Sequence, residues 1–238
     1  MKTLLFTTLF IWAFVIASCE KSMQTVSIQH ELLEFDTVTF NSVFEVTLKQ
    51  DTFNQLKIEG ADKIVKDIAF DITNGHLTLK NNYKGNWVHP KNNKIKIFLT
   101  TNGLSRINAN ETCNIQSINT LTGDEIGLVM TSKLNEATLK VNCNSFYYWN
   151  NFPCGGKITL SGSTNELKLW NVALMQVDAA ELVCNIARIE NASKGACSIN
   201  CIQKLVYSIT GEGNIYASGH PTEIVPMEIS SSGQLILH

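Results

Sequence analysis

Few side chains in this 238-residue sequence are of a type and spacing that could do chemistry. Seven are cysteines. Cys19 stands apart near the start, and Cys113, Cys143, Cys154, Cys184, Cys197 and Cys201 lie in the second half. An even set of six in an exported chain could form disulfides. The reading the residue type favours is a set of small inward-facing side chains, since cysteine is among the most buried residues. There is no Cys-x-x-Cys, and Cys197-x-x-x-Cys201 has no nearby histidine, so zinc is not expected. The histidines, His30, His76, His89, His220 and His238, are scattered. Acids are sparse in the second half. The adjacent candidates, Asp124 with Glu125 and Asp178 with Glu181, read as turn or face residues, because carbohydrate-cleaving sites need converging carboxylates. No Gly-x-Ser-x-Gly elbow or phosphate-cradling glycine loop is present, since Gly211-Glu-Gly213 has no following helix; its glycines read as residues that permit a turn at the corner of a coil. No catalytic residue, metal ligand or cofactor is therefore expected.

The aromatic residues are more informative. Phe146-Tyr147-Tyr148-Trp149 is the densest run, and Trp170 follows Trp149 by 21 residues. If both tryptophans point outward they form a ladder on one wall, and flat rings with polar tips suit stacking on sugars. The competing reading buries one alternate set of the run in the interior. Tyr83 and Trp87, in the polar stretch 81–93, are a second candidate binding pair, because exposed aromatics on a long loop commonly serve recognition.

The elements that must position these residues are short strands. Charged residues are only 17% and net charge is -2, so no basic field exists for nucleic acid. Only two arginines occur, Arg106 and Arg188, which leaves little material for a carboxylate or phosphate clamp. In the first half, Val46-Thr-Leu48 and Gln55-Leu-Lys-Ile-Glu59 alternate with period two. Residues 61–68 have the spacing of a short helix, and Asn74-Gly75 predicts a tight hairpin before His76-Leu-Thr-Leu-Lys80. From Leu104 onward strand-like triplets recur between Asn, Ser and Gly. Strand–turn–strand units begin near Leu139, Ile158, Met175 and Cys197. A period near 20 without helix-length segments predicts a solenoid of parallel coils. An antiparallel β-sandwich is the alternative, since short strands with frequent turns read the same way.

The N-terminus has the pattern of a targeting segment. Met1-Lys2-Thr3 precedes an apolar run from Leu4 to Ala17, too short for a comfortable transmembrane helix. Ile16-Ala17-Ser18-Cys19 resembles a bacterial lipobox, which makes Cys19 the candidate lipidation site. The expected organisation is a signal peptide over 1–18, a lipidated Cys19 and polar tether over 19–29, and a single domain over 30–238. Within it, 30–100 supplies N-terminal strands and 101–238 the repeat coils.

The stretch Gly211-Glu-Gly-Asn-Ile-Tyr216 with Gly219-His-Pro221 resembles the closing motif of a bacterial family, the autotransporter-adhesin head GIN domain, common in Bacteroidetes lipoproteins. Phe35-Asp36-Thr-Val38 with Phe44-Glu-Val46-Thr-Leu48, Leu77-Thr-Leu79 and Ile95-Lys-Ile-Phe-Leu99 are similar to its opening. The interior Ser-Gly-Ser-Gly turns of the family survive here only as Ser161-Gly-Ser163. The resemblance covers roughly His30 to the C-terminus. It implies a right-handed, single-stranded parallel β-helix and carries over no catalytic residues; with the alternating strands of the first half read as an N-terminal β-meander cap, the expected fold is all-β. Together these readings predict an exported, lipid-anchored, non-enzymatic surface or envelope protein, adhesin-like or glycan-binding. It would sit at the outer membrane or cell surface, with a periplasm-facing orientation as the alternative. The expected partners are a membrane, through Cys19, and a glycan or another envelope protein. A structural or envelope-signalling scaffold docking another protein is the second functional reading, and a polysaccharide-degrading β-helix enzyme the third.

Overall fold

A computed structural model describes residues 24–85, 94–151 and 153–238. The architecture is an all-β, right-handed parallel solenoid closed at its N-terminal end by a mixed sheet. The opening elements are β1 (Thr25–Glu31), β2 (Thr37–Phe40), β3 (Phe44–Gln50), β4 (Gln55–Ala61), helix α1 (Asp62–Val65), β5 (Ile68–Thr73), β6 (His76–Asn81) and β7 (Lys96–Thr101). The rungs continue with β8 (Arg106–Ala109), β9 (Cys113–Ser117), β10 (Leu121–Met130), β11 (Asn135–Asn150), β12 (Gly155–Ser193), β13 (Cys197–Ile209), β14 (Ile215–Ser218), β15 (Glu223–Ile229) and β16 (Leu235–Leu237). Among the described residues, no helix is long and apolar enough to cross a membrane.

Two walls result. The first runs through β6, β2, β8, the later halves of β10 and β11, and residues 166–170 of β12. The second runs through β4, β7, β3, β9, the early half of β11 and the start of β12. Many hydrogen-bonded partners on neighbouring rungs lie 19 to 22 residues apart in sequence, close to the spacing read from the repeat. In the cap, β1, β4 and β7 pair antiparallel, as do β5 and β6. β2 and β3 run parallel with β8 and β9 and so belong to the first rung. The β5–β6 turn is Asn74-Gly75, with φ of 52° and 76°, the left-handed pair that matches strand twist in a two-residue hairpin.

The core follows from strict alternation. Along β11, from Ala137 to Val141, every second residue is buried, and the straight stretches of β12 and β13 repeat the pattern. No rung could bury its inward row alone, so stacking supplies the apolar contact. At the corner between the walls the inward residues are asparagines. Asn150, Asn171 and Asn191 are fully buried. Asn150 donates to the Val172 carbonyl and accepts from the Val172 amide, both at 2.9 Å. Asn171 Nδ2 donates to Asn191 Oδ1 at 3.0 Å, and Asn191 Nδ2 donates to the Gly213 carbonyl at 2.8 Å. The ladder satisfies turn carbonyls and amides that the apolar core would otherwise strand.

Gly211 and Gly213 have a different reason from the turn geometry their spacing suggests. Neither adopts positive φ. A Cβ at Gly213 would overlap the Gly195 carbonyl, and one at Gly211 the Ser193 carbonyl. These glycines let one corner sit directly on the next. Ile209 and Ile215, on either side, face inward and are fully buried.

All six cysteines of the repeat half are free and buried, so the inward-facing reading describes them and the disulfide alternative does not. Cys184 stacks in register on Cys201. Burial pushes the Cys113 and Cys197 thiols up to about 12, which leaves them as packing groups at neutral pH. β15 and β16 form a last rung on β13 and β14, and Ile224, Met227, Ile229 and Leu237 remain exposed on it.

Candidate functional site

The aromatic run lies in the later half of β11, where alternation divides it. Phe146 and Tyr148 point into the core and have no exposure, while Tyr147 is half-buried and Trp149 is 41% exposed on the first wall. Parallel, in-register pairing then fixes the outward neighbours. Trp149 lies beside Val129 of β10 on one side and Trp170 of β12 on the other. Tyr147 lies beside Gly127 and Lys168. Gly127 in turn lies beside Arg106, and Val129 beside Asn108. The missing side chain at Gly127 matters here. A Cβ would overlap the Tyr147 ring, so the ring lies down across Gly127 toward Arg106. Burial raises the Tyr147 hydroxyl pKa, with the Arg106 charge opposing and Glu125 adding to the shift.

A hydrogen-bonded chain holds the Arg106 end. Arg106 Nε donates to Asn108 Oδ1 at 2.8 Å, and Asn108 Nδ2 donates to Thr39 Oγ1 at 2.9 Å. The Thr39 hydroxyl and His76 Nε2 are 2.6 Å apart. The Thr39 hydroxyl accepts from Asn108 and still has both a proton and a lone pair for His76, so the direction of that bond follows the imidazole tautomer. Two shallow depressions meet along this wall. One, of about 700 Å³, is lined by residues that include Thr39, His76, Arg106, Asn108 and Trp149. The other, of about 350 Å³, is lined by Arg106, Val129, Tyr147, Trp149 and Trp170. Two further cations of this wall are engaged. Arg188 Nε donates to Glu166, at 2.6 Å, and Lys168 lies 3.1 Å from the same carboxylate and 3.2 Å from Ser145 Oγ. These partners, Arg188 foremost, hold the Glu166 carboxyl below its ordinary value.

The remaining sequence candidates fall elsewhere. Tyr83 is half-buried against the core beyond β6 and does not line either depression of the aromatic wall. Trp87 and Cys19 lie outside the described residues. Asp178 pairs with Lys157 at 3.2 Å on the second wall. His220 sits at φ 57° in the turn after β14. Among the described residues, no group of three or more His, Cys, Asp or Glu side chains is placed to hold a metal ion. Sequence reasoning did not find Arg106, Asn108, Thr39, His76 or Gly127. Stepping along the repeat from Tyr147 to Gly127 to Arg106 could have found two of them. Thr39 and His76 reach the wall through parallel pairing across the cap, which no local spacing encodes.

The fold and this wall define a class: a parallel β-solenoid with a flat, solvent-facing aromatic strip. The chain belongs to the family described as "Putative auto-transporter adhesin, head GIN domain", whose profile matches residues 34–221. Among curated proteins none matches. Solved structures share the fold at low identity. A "putative adhesin" from Bacteroides fragilis superposes with a TM-score of 0.83 at 19% identity, covering 91% of this chain and 98% of its own. A "putative lipid binding protein" from Parabacteroides distasonis gives 0.63 at 15%, over 91% and 98%. A "putative adhesin" from Parabacteroides merdae gives 0.60 at 15%, over 91% and 97%. The family and fold are consistent with a non-enzymatic adhesin-type surface protein.

Proposed function

We propose that this protein is an exported, lipid-anchored, non-enzymatic module that holds saccharides on its aromatic wall. The observation that carries the reading is the in-register pair Trp149 and Trp170, adjacent on neighbouring rungs, with Tyr147 laid flat beside them. Strand spacing of about 4.8 Å sets such side chains into one continuous stacking surface. Stacking on a ring face needs no moving part, and a rigid sheet presents aromatic area at little entropic cost. Acyl chains on Cys19 would hold the domain at a membrane, each buried methylene adding about 0.8 kcal/mol. The lipobox-like residues 16–19 and the surface-adhesin character of the family support that placement. The test is glycan-array retention of Trp149→Ala combined with Trp170→Ala. The double variant is expected to keep its fold by circular dichroism and to lose retention; unchanged retention refutes the reading. For the anchor, a clickable fatty acid fed to cells should label the wild type, and Cys19→Ser should carry no label.

A second reading, a scaffold that docks another envelope protein, has its own observation. The last rung exposes Ile224, Met227 and Ile229 along β15. A Met227→Lys variant that leaves complexes in detergent-extracted envelopes unchanged would remove that reading.

A further inference from the structure

We infer that the saccharide held on this wall is acidic, and that the Arg106 guanidinium receives its carboxylate. The inference rests on the saccharide reading above and names the ligand class of the same site. Arg106 is exposed at the edge of the aromatic strip, and its Nε is taken by Asn108. Among the described residues no carboxylate pairs with it, whereas the charges of Lys168 and Arg188 meet at Glu166. The bond to Asn108 fixes the arm, and the Asn108–Thr39–His76 chain fixes Asn108 in turn. That arrangement leaves the two terminal nitrogens as a planar fork, the geometry that takes a carboxylate through two parallel hydrogen bonds.

Position decides the ligand. Arg106 is one rung from Gly127 and two from Tyr147, with Trp149 two residues further along the same outward row. Two rungs span roughly 10 Å. A ring stacked on Trp149 and an anion at Arg106 therefore fit within one oligosaccharide. The strip is polarised as well. Trp170 precedes Asn171, and Asn171 bonds Asn191, so the exposed Glu190 that precedes Asn191 lies beyond Trp170, at the end of the strip away from Arg106. Two acids flank the Arg106 end: Glu125, two residues before Gly127, contributes less to the Tyr147 hydroxyl than Arg106 does, and the Asp36 carboxylate, next to Thr37 of β2, accepts from the Thr37 hydroxyl at 2.9 Å. A carboxylate is thus drawn to one end and turned away from the other, which orients the bound chain as well as selecting it.

The experiment uses an array of uronate- and sialate-bearing glycans, each printed beside its carboxyl-reduced neutral counterpart. The expected result is wild-type retention of one or more acidic forms about tenfold above the reduced forms, a difference of about 1.4 kcal/mol, weakening as salt is raised. Arg106→Gln should remove the preference while keeping residual retention of both forms. Arg106→Lys, which keeps charge and loses the fork, should fall between. Trp149→Ala with Trp170→Ala should lose both forms. Equal wild-type retention of acidic and reduced forms overturns the acidic ligand and leaves the saccharide reading standing. A preference that survives Arg106→Gln overturns the role of Arg106. No wild-type retention of any glycan overturns both readings together.

Discussion

The two walls of the solenoid are made by the same repeat and end up chemically unlike. On the second wall several outward rings and charges are covered by a neighbour. Lys57 lies over the Phe98 ring at 4.8 Å and also pairs with Glu59. Tyr216 stacks on His238 with centroids 5.8 Å apart. Glu45 pairs with Lys94 and Asp178 with Lys157. On the first wall Trp149 stays open beside Trp170, and Arg106 is held by a neutral side chain. Alternation guarantees an outward row on both walls. Whether that row is spent on itself depends on which residues the register sets side by side. A covered ring or a paired charge is a solvated surface, while an uncovered ring beside an unpaired guanidinium is material for recognition.

The largest break in the comparison should come from beneath the aromatic wall. Phe146→Ala removes a fully buried ring from the inward row of the same strand and should cost about 3–5 kcal/mol in chemical denaturation, against less than about 1 kcal/mol for Trp149→Ala. Tyr148 offers the converse. Its hydroxyl is buried without a hydrogen-bond partner, so Tyr148→Phe should leave stability unchanged or raise it slightly. Equal losses for Phe146→Ala and Trp149→Ala would mean that the wall has no inner and outer row.

The corner that ties the walls together comes next. Asn191→Ala strips donors from the Gly213 carbonyl and the partner from Asn171, and should cost about 2 kcal/mol. The exposed pair Asn110 and Asn41, bonded at 2.8 Å, serves as control, with Asn110→Ala changing stability by less than about 0.5 kcal/mol. Indistinguishable midpoints for the two variants would contradict a structural role for the buried ladder.

The smallest effect is local. Gly127→Ala should displace the Tyr147 ring without unfolding the wall. Because burial is the main cause raising the Tyr147 pKa, its titration midpoint should fall back toward 10.0 on displacement. Ultraviolet difference titration against a Tyr147→Phe reference isolates this tyrosine. Thr159→Ala on the second wall should leave the titration untouched. A midpoint unmoved by Gly127→Ala would show that the ring does not rest on Gly127.

Much of this was legible in the chain itself. The repeat near 20 residues, the alternation along Val46-Thr-Leu48 and the Asn74-Gly75 hairpin follow from local rules: period two marks a half-buried strand, and a left-handed dipeptide marks a tight turn. So does the placement of the six buried cysteines, given their small apolar character. The split of Phe146 to Trp149 into two faces was also local, although which member faced in was not. Local rules also misassigned a cause. Gly211 and Gly213 read as turn glycines, yet they are required by contact with the rung before, a partner 18 residues away in sequence at Gly195.

By itself, then, the sequence determined that there would be rungs, that one row of each would be apolar, and that aromatic residues would fall about one coil apart. The tertiary structure decided which outward residues became neighbours. Parallel pairing in exact register is a global outcome of stacking every rung at once, and a shift of one residue would turn Trp149 inward. Arg106, Asn108, Thr39 and His76 are up to 69 residues apart where they bond, and only closure of the cap onto the first rung brings them together.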